Sequence, residues 1–227
     1  KPQSGLAATQ LLQLHADEQR WAEALEVIAI VMKDRKKQTG NVPEILLQQR
    51  IALLYLEGMK TLQAGSDAIG AARCFKAALS DNPAFLPAVF ALANIYLDMA
   101  NQPKAVKLLE KSFTLVPHPG IADMLQTLWN DNDGHSLARL IRLIPKRPLT
   151  MQHAAYKIVS DIATSKGLEG EARRFCELHD SSFAAFGWQC TVCKSRHEDW
   201  HSHCQSCENF AGLKWQQLEK VTPLLED

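Results

Sequence analysis

The chain is 227 residues long, 46% hydrophobic and 22% charged, with 25 Lys+Arg set against 25 Asp+Glu. That balance belongs to a globular chain and excludes a disordered one. A formal net charge of zero leaves no surplus of cations to neutralise phosphates, which argues against a nucleic-acid partner.

No run reaches the roughly 18 apolar residues that a bilayer demands. The nearest, Phe85 to Ala100, contains Asn94 and Asp98 and reads as a buried helix pair. No signal peptide is visible. The chain starts at Lys1 rather than Met, so an upstream part is expected to have been removed, and any membrane anchor would have lain there.

From Leu6 to about Phe183 apolar residues recur at helical spacing. Trp21, Ala24, Ile28 and Val31 read as the second helix of an N-terminal pair, and a longer helix is predicted over Val42–Gln63. The next unit carries Ala71, Phe75, Ala78 and Pro83, and the one after it Ala105, Leu109, Ser112 and Pro117, each 34 residues on. Small residues let two helix backbones approach, and Pro stops a helix because it lacks an N–H and its ring clashes with the preceding turn. Val89, Leu92, Ala93 and Tyr96 complete the first helix of the second unit. Downstream, Gly120–Trp129 pairs with a degenerate Ala138–Leu143 helix closed by Pro145 and Pro148, and Met151–Thr164 pairs with a last helix bearing Ala172 and Cys176. The spacing and residue types resemble the tetratricopeptide (TPR) pattern, and predict an all-α superhelix of about five helix pairs over residues 1–183. Such an array presents a concave groove for extended peptides or partner helices. It shows no nucleophile with a base, no phosphate-cradling loop and no paired catalytic acids, so the chain reads as a non-enzyme.

Residues 184–216 carry two C-x-x-C pairs, Cys190/Cys193 and Cys204/Cys207, interleaved with Trp188, Trp200 and Trp215. Each C-x-x-C turn places two thiolates on one side of a tight loop, and two facing turns make a tetrahedral four-sulfur site for one metal ion. Zinc is the favoured ion and iron the alternative. Four thiolates leave no open position for water, so the ion is expected to be structural. A segment this short builds little core of its own. The metal is expected to supply much of its folding energy, with the three tryptophans as its apolar partners and a means of docking on the last repeat. His197, His201 and His203 lie in the same stretch. They are read as solvated bystanders ahead of the competing reading, an alternative metal or heme ligand. The single helical histidines, His135, His153 and His179, read as surface or core residues, and Cys74 and Cys176 as buried. Unpaired cysteines beside C-x-x-C pairs suit a reducing compartment. Residues 217–227 read as a C-terminal tail.

The repeats together with Trp188-x-Cys190-x2-Cys193, Trp200-x3-Cys204-x2-Cys207 and Trp215 resemble the bacterial HemY-like inner-membrane tetratricopeptide proteins, as do Val116-Pro117-His118-Pro119 and the Leu137–Leu143 helix. That resemblance implies a scaffold on the cytoplasmic face of the inner membrane, linked to heme biosynthesis. The four cysteines are also similar to the rubredoxin-like module of the lipopolysaccharide assembly protein LapB family. That likeness implies a regulator acting through a membrane protease. Rubredoxin turns place Gly after the second Cys of each pair, whereas Lys194 and Glu208 stand there in this chain, which leaves zinc ahead of iron. A metal- or heme-linked sensor is the remaining alternative to the adaptor.

Overall fold

The computed structural model describes residues 14–16, 18–65, 67–129, 135–179 and 185–218. The expected helical start near Leu6, the end of the repeats near Phe183 and residues 219–227 of the expected tail lie outside the described residues. The protein is mostly helical with one small sheet, and the chain forms two compact units. One comprises residues 1–95 with 201–213, the other residues 96–200 with 214–227.

In the first unit, α1 spans Trp21–Thr39, α2 Glu44–Gln63 and α3 Ala68–Asp81, and α4, Leu86–Asp98, begins here. Helix α1 buries Trp21, Ala24 and Ile28, residues spaced so that they share one face. It ends at Gly40, whose left-handed backbone (φ 71°) lets its N–H reach the Lys36 carbonyl. Helix α2 starts at Glu44 rather than the expected Val42, because Pro43 sits extended as its N-cap. Helix α3 opens on Asp67, whose carboxylate accepts the Gly70 N–H at 2.6 Å. Its buried face, Ala71, Ala72, Phe75 and Ala78, packs against α2. Phe75 is the hub. A Cβ built on Gly58 of α2 would lie 2.6 Å from its ring, so only glycine admits that approach. The Tyr55 ring sits 5.7 Å from Phe75 and 5.8 Å from Phe85. Arg50 closes the pair with an ion pair to Asp81 at 2.5 Å.

The second unit contains α5 (Gln102–Leu115), α6 (Pro119–Trp129), α7 (His135–Arg142), α8 (Leu149–Ser165) and α9 (Glu169–Leu178), each touching the next, with the Gln102 amide of α5 donating to the Leu128 carbonyl of α6. Helices α3 and α5 correspond in length, cap geometry and buried positions at the 34-residue offset. Both have 14 residues, and both open on an Asx N-cap, Asp67 and Asn101, accepting the N–H three residues on. Both end on an extended C-cap, where Asn82 donates to Ala78 and Val116 to Ser112. Ala71, Phe75 and Ala78 are buried, and so are Ala105, Leu109 and Ser112. Helix α7 is shorter than its counterparts and buries Ser136, Leu137 and Leu140. Helix α8 packs on α9 through Tyr156 and Phe175, with Ser160 donating to the Ala172 carbonyl at 3.0 Å. No helix among the described residues is long and apolar enough to cross a membrane.

The sheet is local to the cysteine segment. Strand β1, Phe186–Cys190, is central, between β2, Arg196–His197, and β3, Leu213–Gln217. Strands β1 and β2 are antiparallel, with Trp188 opposite His197 and Gln189 opposite Arg196.

Candidate metal centre

Cys190 is the last residue of β1, so the hairpin turn towards β2 presents Cys190 and Cys193 together. Fourteen residues later the chain makes a second turn of the same form. The Cys190 N–H donates to the Ser195 carbonyl at 2.9 Å and the Cys204 N–H to the Asn209 carbonyl at 3.0 Å. The Lys194 N–H returns to the Cys190 carbonyl at 3.1 Å, and the Glu208 N–H to the Cys204 carbonyl at 2.8 Å. A bridge between His203 and Phe210 closes the second turn.

These turns bring the four sulfurs, Cys190, Cys193, Cys204 and Cys207, within 4.8 Å of one another. A tetrahedron with metal–sulfur bonds of ~2.3 Å has edges of about 3.8 Å, so the four cysteines fit one metal ion with little movement. Cys190 and Cys204 are buried and hold the inner side; Cys193 and Cys207 lie on the open side. A bound ion would be held by the sulfurs of both turns.

The residues after each pair depart from glycine, yet their backbones are left-handed, φ 62° at Lys194 and φ 57° at Glu208. A non-glycine residue there carries ~1–2 kcal/mol of strain. Glycine relieves it and gives back ~0.5–1 kcal/mol in unfolded-chain entropy. Lys194→Gly and Glu208→Gly are therefore each expected to stabilise the metal-loaded module by about 0.5–1 kcal/mol. The check is a higher guanidinium midpoint for each variant.

Gln189, 3% exposed, supports the first turn from β1: its amide donates to the Lys194 carbonyl at 3.0 Å and accepts from Gln216 at 2.9 Å. Ser195 touches Cys193 Sγ at 3.0 Å and His197 Nε2 at 2.9 Å. Neither residue was legible as a supporting group, since each depends on register across strands. The three histidines stand outside the four-sulfur cluster. His197 bonds Ser195, His201 lies 3.2 Å from the Gln205 amide nitrogen, and His203 bonds Ser202 Oγ at 3.2 Å.

The tryptophans divide. Trp188 is buried and meets Trp215 edge-on at 5.5 Å, while Trp200 is only half-buried. Phe210, Ala211 and Leu213 are the further buried apolar residues of the segment. Trp215 also packs on His118 at 4.5 Å, ahead of α6. His118 caps α6: its carbonyl accepts the Ile121 N–H and its Nδ1 the Gly120 N–H at 3.1 Å. Burial lowers its pKa from 6.5 to about 4. An unfolded chain thus binds a proton below 6.5 that the folded chain refuses until about 4, and stability falls as pH drops through that window. From about pH 7.5 to 5.5 the loss is about 1.3 kcal/mol. His118→Asn keeps a capping side chain and is expected to remove that part of the slope, which denaturant titrations at the two pH values check.

Of the repeat signature, Ala71, Phe75, Ala78, Ala105, Leu109 and Pro117 are buried, Tyr96 is half-buried and Pro83 is exposed. Cys74 is half-buried and its thiol pKa is raised, first by burial and then by Glu57 and Asp67. Cys176 is exposed, contrary to the expectation of burial, because α9 turns its neighbour Phe175 inward and places Cys176 about 100° round the helix. In the first unit a cavity of about 970 Å³ is lined by Trp21, Leu56, Met59, Lys60, Gln63 and His203, among others. Helix α2 thus offers a concave face beside the second cysteine turn.

No protein-family model matches this chain, and no curated protein matches it.

Proposed function

We propose that the protein is a non-enzymatic adaptor, a tetratricopeptide scaffold whose C-terminal rubredoxin-like or zinc-ribbon module is held by one structural metal ion. The observation that carries this reading is the match between α3 and α5 at a 34-residue offset in length, caps and buried positions. A 34-residue helix-pair period belongs to arrays whose work is to hold partners in a groove. The cavity along α2 supports a groove of that kind, with Trp21, Leu56 and Met59 as its apolar surface and Lys60 and Gln63 as polar contacts. Four sulfurs close the coordination shell of the metal. Burial, with Glu57 and Asp67, raises the Cys74 thiol pKa, which gives no support to thiol catalysis.

The proposal extends to place and partner. On the resemblance to the HemY-like proteins, the adaptor sits on the cytoplasmic face of a bacterial inner membrane and gathers enzymes of heme synthesis. On the resemblance to the LapB family, the partners are a membrane protease and an enzyme of lipid A synthesis. Copurification with the anchored, full-length protein separates the two. Neither set of enzymes being retained would sink the adaptor reading.

One observation favours a second reading of the metal. Lys194 and Glu208 keep the left-handed backbone that rubredoxin turns give to glycine, so the turns also suit iron. An iron centre would make the module a redox or heme-linked sensor. Elemental analysis with a visible spectrum decides: about one colourless zinc per chain supports the structural ion, and iron with a thiolate absorption band supports the sensor.

A further inference from the structure

The four sulfurs are not equivalent. Cys190 and Cys204 are buried at the start of each turn, and their backbone groups are locked by the paired hydrogen bonds to Ser195, Lys194, Asn209 and Glu208. Cys193 and Cys207 lie on the open side. Oxidation of thiolates follows exposure, and a second thiolate nearby converts a sulfenic acid to a disulfide.

We propose that Cys193 and Cys207 form a peroxide-reactive pair whose oxidation to a disulfide expels the metal, making the centre a modification site as well as a structural one. This rests on the zinc reading above. In the first step a thiolate of the pair attacks one oxygen of hydrogen peroxide. The O–O bond breaks, hydroxide leaves, and the sulfur becomes a sulfenic acid. In the second, the other thiolate attacks that sulfur, the S–O bond breaks and a second hydroxide leaves as the disulfide forms. Two electrons pass from the two sulfurs to one peroxide, both hydroxides take up protons to give water, and zinc departs with its charge unchanged. The sulfurs, within 4.8 Å before oxidation, need only close to ~2.05 Å. Ser195, 3.0 Å from Cys193 Sγ, stands ready to hydrogen-bond that sulfur once it leaves the metal.

The test treats the zinc-loaded full chain with excess hydrogen peroxide. Released zinc is followed with a chromogenic chelator, and disulfides are mapped by mass spectrometry without reduction. The expected result is one zinc released per disulfide, a Cys193–Cys207 cross-link, and full reloading after dithiothreitol and zinc. Cys176→Ser, which removes the exposed thiol outside the centre, should leave release unchanged. Zinc retained under peroxide would overturn this proposal alone, as would cross-links confined to Cys190–Cys193 and Cys204–Cys207, sulfinic acids without a disulfide, or release abolished by Cys176→Ser. A chain that never holds zinc would overturn it together with the structural-zinc reading.

Discussion

Stripping the metal with a chelator is expected to unfold the segment from Phe186 to Gln217 while the helices stay formed. The segment's apolar interior amounts to Trp188, Phe210, Ala211 and Leu213 with the buried sulfurs of Cys190 and Cys204. So small a core cannot offset the ~1–2 kcal/mol of backbone entropy that each ordered residue costs. Structural zinc contributes ~10–16 kcal/mol in small zinc modules, so a bound zinc is expected to decide whether the segment folds. Trp188 is 6% exposed in the folded state, and its emission should shift to longer wavelength as the metal leaves. Far-UV helical signal should change little. Cys190→Ser, at a buried ligand, should reproduce the effect without chelator. Unshifted tryptophan emission and persistent amide protection in β1 after complete metal removal would show that the module folds on its own core.

Phe75→Ala should lower the stability of the first unit by ~3–5 kcal/mol, most of what a typical domain has to spare. The ring is fully buried and fills the space that Gly58 leaves open, with the Tyr55 ring 5.7 Å away. Removing it leaves a cavity that the backbone of α2 cannot close without bending. Phe75→Leu keeps most of the volume and should cost about 1.5 kcal/mol or less. Denaturant unfolding followed by helical circular dichroism reads both changes. Because the chain forms two compact units, an early, separate transition in Phe75→Ala is the expected shape. A loss below about 1 kcal/mol would mean that α2 and α3 repack, and that the small-large-small pattern matters less than its spacing suggests.

Much of this was legible because helical structure is local. The positions 71, 75 and 78 recur at 105, 109 and 112 because both helices present the same stripe. The candidate metal ligands were legible for the same reason: a C-x-x-C turn is a property of four consecutive residues. What was not legible depended on residues far apart. The contact of Trp215 with His118, and the lowered pKa that burial gives that ring, join positions nearly a hundred residues apart. The exposure of Cys176 depended on which side of α9 its neighbours occupy. Lys194 and Glu208 looked like departures from a glycine rule, and only the backbone showed that both accept the left-handed conformation.

The sequence by itself determined the helical repeat spacing and the four candidate metal ligands, since both follow from neighbours within a turn or two. The tertiary structure decided which of those sulfurs lie open, which tryptophan is buried and where Trp215 packs. Exposure is set by what the rest of the chain leaves uncovered, and no local pattern of residues encodes that.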